Sequence, residues 1–186
     1  MDHNLTQFLG QHKGPLPYYM QVDICNNIAQ ALNYLHSNGI IHCNLSSRNI
    51  LLSDGKAKVD ISTSYILRKD PECPGKPPYM PPEGFGMQYT CKLDCFSFGV
   101  LAVEIITKES PEPGPPNQSE IDHRRNHIQQ INKDHPLLPI VLECLNDRDT
   151  ERPSSPDLCH RLAPAALKKS PDYVKSSQKD SPTVSQ

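Results

Sequence analysis

Residues 42–49 read His42-Cys43-Asn44-Leu45-Ser46-Ser47-Arg48-Asn49. Strong secondary-structure signals stand on both sides of this largely polar octet. Upstream, Ile24, Ile28, Ala31, Leu32 and Leu35 recur at helical spacing and give residues 18–38 one apolar stripe. Asn38-Gly39 supplies the stop, because glycine enters the left-handed conformation in which helices end. Ile40-Ile41 reads as a brief strand. Downstream, Ile50-Leu51-Leu52 and Ala57-Lys58-Val59 flank Ser53-Asp54-Gly55-Lys56. Asp-Gly between apolar runs is a hairpin signal.

Farther out, residues 4–10 read as a short helix closed by Gly10, followed by a Gly/Pro link over 13–17. Residues 63–90 hold proline and glycine and read as irregular. Residues 92–107 are apolar on most sides, with Phe96, Val100, Val103, Ile105 and Ile106, which predicts a central buried helix. A proline-rich loop over 108–119 precedes helices expected near 120–132, 136–146 and 154–167, with Pro136 in the first turn of the second. From residue 168 the chain is Ser, Lys, Asp and Pro with scarcely a core-forming side chain, which predicts disorder. The expected fold is mainly α with a small β-hairpin, a unit over 1–167 followed by a tail over 168–186.

Composition narrows the function classes. The chain has 186 residues, 36% of them hydrophobic, and 19 prolines. A net charge of −2 argues against nucleic acid as a main partner. The seven cysteines are an odd number, and Cys91 with Cys95 lacks a second pair to complete a zinc pattern. Reduced thiols are expected. No N-terminal signal and no apolar run near the ~20 residues of a membrane span is present, so the expectation is a cytoplasmic protein bound to neither nucleic acid nor membrane.

The octet has the frame of the protein-kinase catalytic loop, His-Arg-Asp-Leu-x-x-x-Asn. With the Ala-Leu-Asn-Tyr-Leu-His-Ser-Asn-Gly-Ile-Ile helix end at 31–41 before it and Asn49-Ile50-Leu51-Leu52 after it, the chain resembles the large C-terminal lobe of a protein kinase, of the tyrosine-kinase-like or tyrosine-kinase type. The resemblance runs from about residue 4 to 165. It implies that His42 is structural and that Asn44 stands where the catalytic carboxylate accepts the substrate's hydroxyl proton. A carboxamide has the carboxylate's shape but takes no proton near neutral pH. Cys43 stands where the family has arginine, the usual phosphate clamp.

Other motifs divide into chemical and scaffold groups. Asp60-Ile61-Ser62 resembles the metal-binding Asp-Phe-Gly triplet. The spacing from Val59 is one residue short, so either Asp60 or Ile61 stands at the Asp position, and the glycine is lost in both alignments. Asn49 and Asp60 are the implied Mg²⁺ ligands, and Leu51 the implied nucleotide contact. Asn49 has an alternative role in bonding the loop backbone. Residues 74–83 resemble the stretch ending in Ala-Pro-Glu, with Lys76 where the family has threonine and with Ser62, Thr63, Ser64 and Tyr65 as nearby phosphate acceptors. Neither Ser46 nor Ser47 has an evident neighbouring base. The scaffold implied is a Glu83–Arg152 ion pair and Asp94 accepting hydrogen bonds from the loop backbone.

No Gly-x-Gly-x-x-Gly occurs in the chain, and Lys13 is its sole lysine before the octet. The chain is therefore expected to begin where the small N-terminal β lobe ends, and to lack that lobe. The cleft floor, with Leu51 and His42, is then expected to be exposed. These readings imply a catalytically inactive pseudokinase lobe, or kinase fragment, that acts by protein binding without cofactor. The alternative they leave open is a divergent Ser/Thr or Tyr kinase using ATP and Mg²⁺, with its small lobe supplied elsewhere.

Overall fold

The polar octet is held against a long apolar helix in the computed structural model of the chain, which describes residues 3–63, 77–81, 83, 89–111 and 128–166. Strand β1 (His3–Asn4) leads into α1 (Leu5–Gln11) and then α2 (Tyr18–Ser37). After the octet come β2 (Ile50–Ser53) and β3 (Lys56–Val59), then α3 (Cys91–Thr107), α4 (Leu138–Cys144) and α5 (Ser155–Ala166). Residues 128–130 are also helical.

Local chemistry explains the starts and stops. The Asn4 side chain accepts from Gln7 N at 2.9 Å, while the Gln7 side chain accepts from Asn4 N at 3.2 Å. This reciprocal cap satisfies two backbone donors that a helix start leaves open. It carries α1 through Gly10 to Gln11, so Gly10 is not the stop. Gly39 ends α2 with φ +70, where a Cβ is disfavoured. At the end of α3 a lysine takes that conformation: Lys108 has φ 62, and its Nζ donates to Gly14 O at 2.8 Å. The bond ties the end of α3 to the link between α1 and α2.

The hairpin of β2 and β3 pairs antiparallel, Ile50 opposite Val59 and Ser53 opposite Lys56. The sheet has a third strand that the sequence does not announce, with β1 pairing to β2 through His3–Leu52 and Asn4–Leu51. Two residues are too few to show a period. Ile40-Ile41 is not a strand, and Ile40 N instead bonds Leu35 O at 2.9 Å as part of the α2 stop. Helix α4 is shorter than 136–146; Pro139, not Pro136, sits in its first turn.

Helix α3 is buried from Leu93 to Ile105 without a break. It is the centre of a core that α2 closes on one side and α4 on the other, while α5 packs extensively on α2. Each fully buried Leu, Ile or Phe here contributes roughly 1.5–3 kcal/mol. Gly99 is needed for close approach, since a Cβ there would stand 2.7 Å from Cys144 Cβ. Cys25, Cys95 and Cys144 are free and buried. Burial pushes the Cys25 and Cys95 thiols up to about 12, which leaves them unreactive. Lys76, Ser64, Tyr65, the 168–186 tail and most of the helix expected over 120–132 lie outside the described residues.

Candidate functional site

The octet lies across α3 and is gripped at both ends by carboxylates from that helix. At its start, the buried Asp94 takes backbone N–H groups, His42 N to Oδ2 at 2.8 Å and Cys43 N to Oδ1 at 2.9 Å. The His36 Nε2 donates to Oδ2 at 2.8 Å. This grip bends the chain: Cys43 has φ 59, a left-handed conformation uncommon outside glycine, and its thiol side chain is buried.

His42 is wholly buried, which corrects the expectation of an exposed ring on an open floor; Leu51 is half-buried. Its ring roles are set by its neighbours. Asp60 O can only accept, so Nε2–H donates to it at 2.9 Å. Asn44 N can only donate, so Nδ1 accepts from it at 3.1 Å. The ring is thus neutral with its hydrogen on Nε2, and it welds the strand end at Asp60 to the turn at Asn44.

The second half of the octet is a short 3₁₀ turn over Ser47–Asn49. The Asn49 side chain donates to Asn44 O at 2.7 Å, and Asn49 O accepts Asp60 N at 2.8 Å. Asn49 therefore bonds the loop backbone. Asp60 Oδ1 accepts Ser62 N at 2.9 Å, and the Ser62 hydrogen bonds hold its carboxyl below the usual carboxylate range. Asp60, not Ile61, is the residue joined to His42, while Ile61 is 47% exposed. Asn49 and Asp60 would supply two oxygen donors, and the rest of the shell of a hard cation such as Mg²⁺ would come from water and phosphate oxygens. Among the described residues no three His, Cys, Asp or Glu side chains come together as a metal centre.

At the octet's far end stands a carboxylate that sequence reading missed. Ser47 Oγ donates to Glu104 Oε1 at 2.7 Å, and Tyr79 OH donates to Oε2 at 2.7 Å. With its hydrogen so placed, Ser47 Oγ accepts from Thr6 Oγ1 at 2.7 Å. Ser47 thus does have a carboxylate neighbour, contrary to the sequence expectation. All three groups of the Ser47–Tyr79–Glu104 cluster are buried, so it is a strut that joins loop, residue 79 and α3. Burial pushes the Tyr79 hydroxyl far up. The available signal was a lone glutamate inside an apolar helix, which must find hydrogen-bond partners to stay there.

The remaining scaffold pair is joined. The buried Arg152 guanidinium grips Glu83 as a fork, with Nη2 to Oε2 at 3.0 Å and Nη1 on Oε1. Its Nε donates to Asn146 O at 2.8 Å, and its plane lies 4.8 Å from the Phe96 ring. The two-bond fork on the carboxylate, the backbone hydrogen bond and the ring fix its orientation.

Comparison with known proteins accords with this architecture. The sequence model described as protein tyrosine and serine/threonine kinase matches residues 1–162. A Dictyostelium discoideum protein named a probable serine/threonine-protein kinase is 30% identical over 175 aligned residues, covering 89% of this chain and 42% of that protein. A second from the same organism, the probable serine/threonine-protein kinase kinY, is 32% identical, covering 86% of this chain and 30% of its own length. A third, a probable LIM domain-containing serine/threonine-protein kinase, is 29% identical, covering 86% of this chain and 17% of its own length. The chain thus spans less than half the length of these relatives. It belongs to the protein tyrosine and serine/threonine kinase family.

Proposed function

We propose that this chain is a pseudokinase, a kinase-fold protein that transfers no phosphate and acts by binding another protein in the cytoplasm. The observation that carries the reading is Asn44. The octet is anchored on α3 through the His42 and Cys43 amides and the Ser47 hydroxyl, while the residue at the proton-acceptor position has an amide. Loss of a general base alone costs about 10²–10⁴-fold. Cys43 removes the guanidinium that would bind an activating phosphate. The backbone engagements of Asn49 and Asp60 further support a loop retained for structure. No helix among the described residues is long and apolar enough to cross a membrane.

A second reading is a divergent Ser/Thr or Tyr kinase. Asp60, held ionised beside Asn49, favours it, since those two would hold Mg²⁺ on ATP, with Leu51 against the base. Thermal unfolding with and without ATP and Mg²⁺ separates the two: no shift is expected, and Mg²⁺-dependent stabilisation by ATP favours the second. Asn44→Asp is expected to leave phosphoryl transfer undetectable. Transfer by the unaltered chain would overturn the proposal, whereas transfer restored by Asn44→Asp alone would show the remaining machinery to be sound.

A further inference from the structure

Behind the octet runs a hydrogen-bond chain that reaches α5. Ser155 Oγ lies 2.9 Å from His36 Nδ1, and His36 Nε2 lies 2.8 Å from Asp94 Oδ2. Asp94 in turn holds the His42 and Cys43 amides. The residues are serine, histidine and aspartate, but the arrangement is not a hydrolytic triad. In such a triad the aspartate takes Nδ1–H and the serine meets Nε2. Here the ring is reversed, and Ser155 is 2% exposed, closed to any substrate.

The protons in this chain can be placed. Asp94 only accepts when ionised, so His36 Nε2 carries a hydrogen. Ser155 has one hydroxyl hydrogen and is buried at the start of α5. If His36 were an imidazolium, its Nδ1–H would donate to Ser155, and the serine hydrogen would then need another acceptor. Among the described residues Ser155 Oγ has no other hydrogen bond. Donation from Ser155 to Nδ1 satisfies both groups, whereas the reverse leaves a buried hydroxyl hydrogen unpaired, which carries a desolvation penalty.

We propose that Ser155 is a positioning residue for the octet: it holds His36 as the neutral Nε2–H tautomer, and through Asp94 it couples the start of α5 to the backbone of His42 and Cys43. Movement or loss of the α5 start then loosens the octet first, because Asp94 loses the oriented ring that shares its Oδ2 with His42 N. Nothing in this coupling depends on whether the chain binds nucleotide.

The test uses the full chain. Imidazole ¹⁵N shifts at neutral pH are expected to show His36 neutral with its hydrogen on Nε2; an imidazolium or an Nδ1–H tautomer overturns the assignment. In Ser155→Ala, amide hydrogen exchange at His42 and Cys43 is expected to quicken about tenfold more than at Leu101 in α3, as a local opening does. Ser155→Thr, which keeps the hydroxyl, is expected to bring the His42 and Cys43 rates back towards Leu101. Equal acceleration at all three amides, the mark of general destabilisation, overturns the coupling. If Ser155→Ala does not fold, the shifts of the unaltered chain and the Ser155→Thr exchange rates still decide.

Discussion

Asp94 and Glu104 are two buried carboxylates on one helix, and each grips one end of the same octet. They do so with different partners. Asp94 receives two backbone amides and an imidazole, all fixed in direction, while the Glu104 bonds described come from the hydroxyls of Ser47 and Tyr79, which rotate. A rigid donor that loses its acceptor stays unpaired, whereas a hydroxyl can turn to another oxygen. Ser47 has Thr6 Oγ1 at 2.7 Å for this purpose. The helix is the same and the burial is nearly the same, so the partner type decides how much structure depends on each acid.

The largest effect follows from that contrast. Asp94→Ala is expected to cost about 3–5 kcal/mol, the scale of an uncompensated buried polar group, and to release the Cys43 turn. Glu104→Ala is expected to cost about 2 kcal/mol less than Asp94→Ala, because its hydroxyl partners find new acceptors. Urea unfolding of both variants checks the order. Equal losses would mean that partner rigidity is not what separates the two sites.

The contrast also explains what could be read from sequence. Asp94, Glu83 and Arg152 sit in motifs of recognisable spacing, so their roles followed from the resemblance. Glu104 was hidden because an apolar run draws attention to its apolar members, and Tyr79 and Thr6, which complete its surroundings, lie 25 and 98 residues away in the chain. His36 and Ser155 were missed for the same reason, one in the last turn of a helix and the other at the start of a different one. The third strand escaped because a two-residue pairing has no local signature. Burial of His42 depended on its ring being locked between Asp60 and Asn44, a tertiary fact with no trace in composition.

Gly99 lies on α3 between the two acids and sharpens the comparison by moving the helix that carries both. Gly99→Ala would put a Cβ 2.7 Å from Cys144 Cβ and near Leu145. Cys144 lies in α4, whose backbone cannot simply rotate away, so an overpacking loss of about 1–3 kcal/mol is expected in urea unfolding. Hydrogen exchange at the His42 and Cys43 amides is expected to rise with it, since α3 is their anchor. Unchanged stability would show that α4 yields freely and that the helix is less firmly set than its burial implies.

A link made without a charge behaves differently with pH. His135 Nε2 donates to Gln21 Oε1 at 2.9 Å, and its Nδ1 accepts from Leu137 N at 3.3 Å, so the ring is neutral. Burial holds His135 below its ordinary value of 6.5. A group whose value is depressed on folding contributes stability that is present above the unfolded value and lost as pH falls through the folded one. The unaltered chain is therefore expected to lose more of its urea midpoint between about pH 7.5 and 5.5 than His135→Gln does, other titrations being common to both. Parallel curves would place the pH response elsewhere.

The smallest expected effect has the opposite sign, and it falls between the two grips. Ser46 follows the stretch held by Asp94 and precedes the residue held by Glu104, and its hydroxyl is buried with no hydrogen-bond partner among the described residues. Neither carboxylate reaches it. Removing a buried polar group that has no partner relieves its desolvation penalty, and alanine at an extended residue such as Ser46, φ −161, brings no backbone conflict. Ser46→Ala is expected to raise stability by about 1 kcal/mol, read as a higher urea midpoint at unchanged slope. A loss of stability would show that the hydroxyl has a partner in solution, an ordered water or a bound molecule within the octet. The middle of the loop would then be a binding position and not a gap between two anchors.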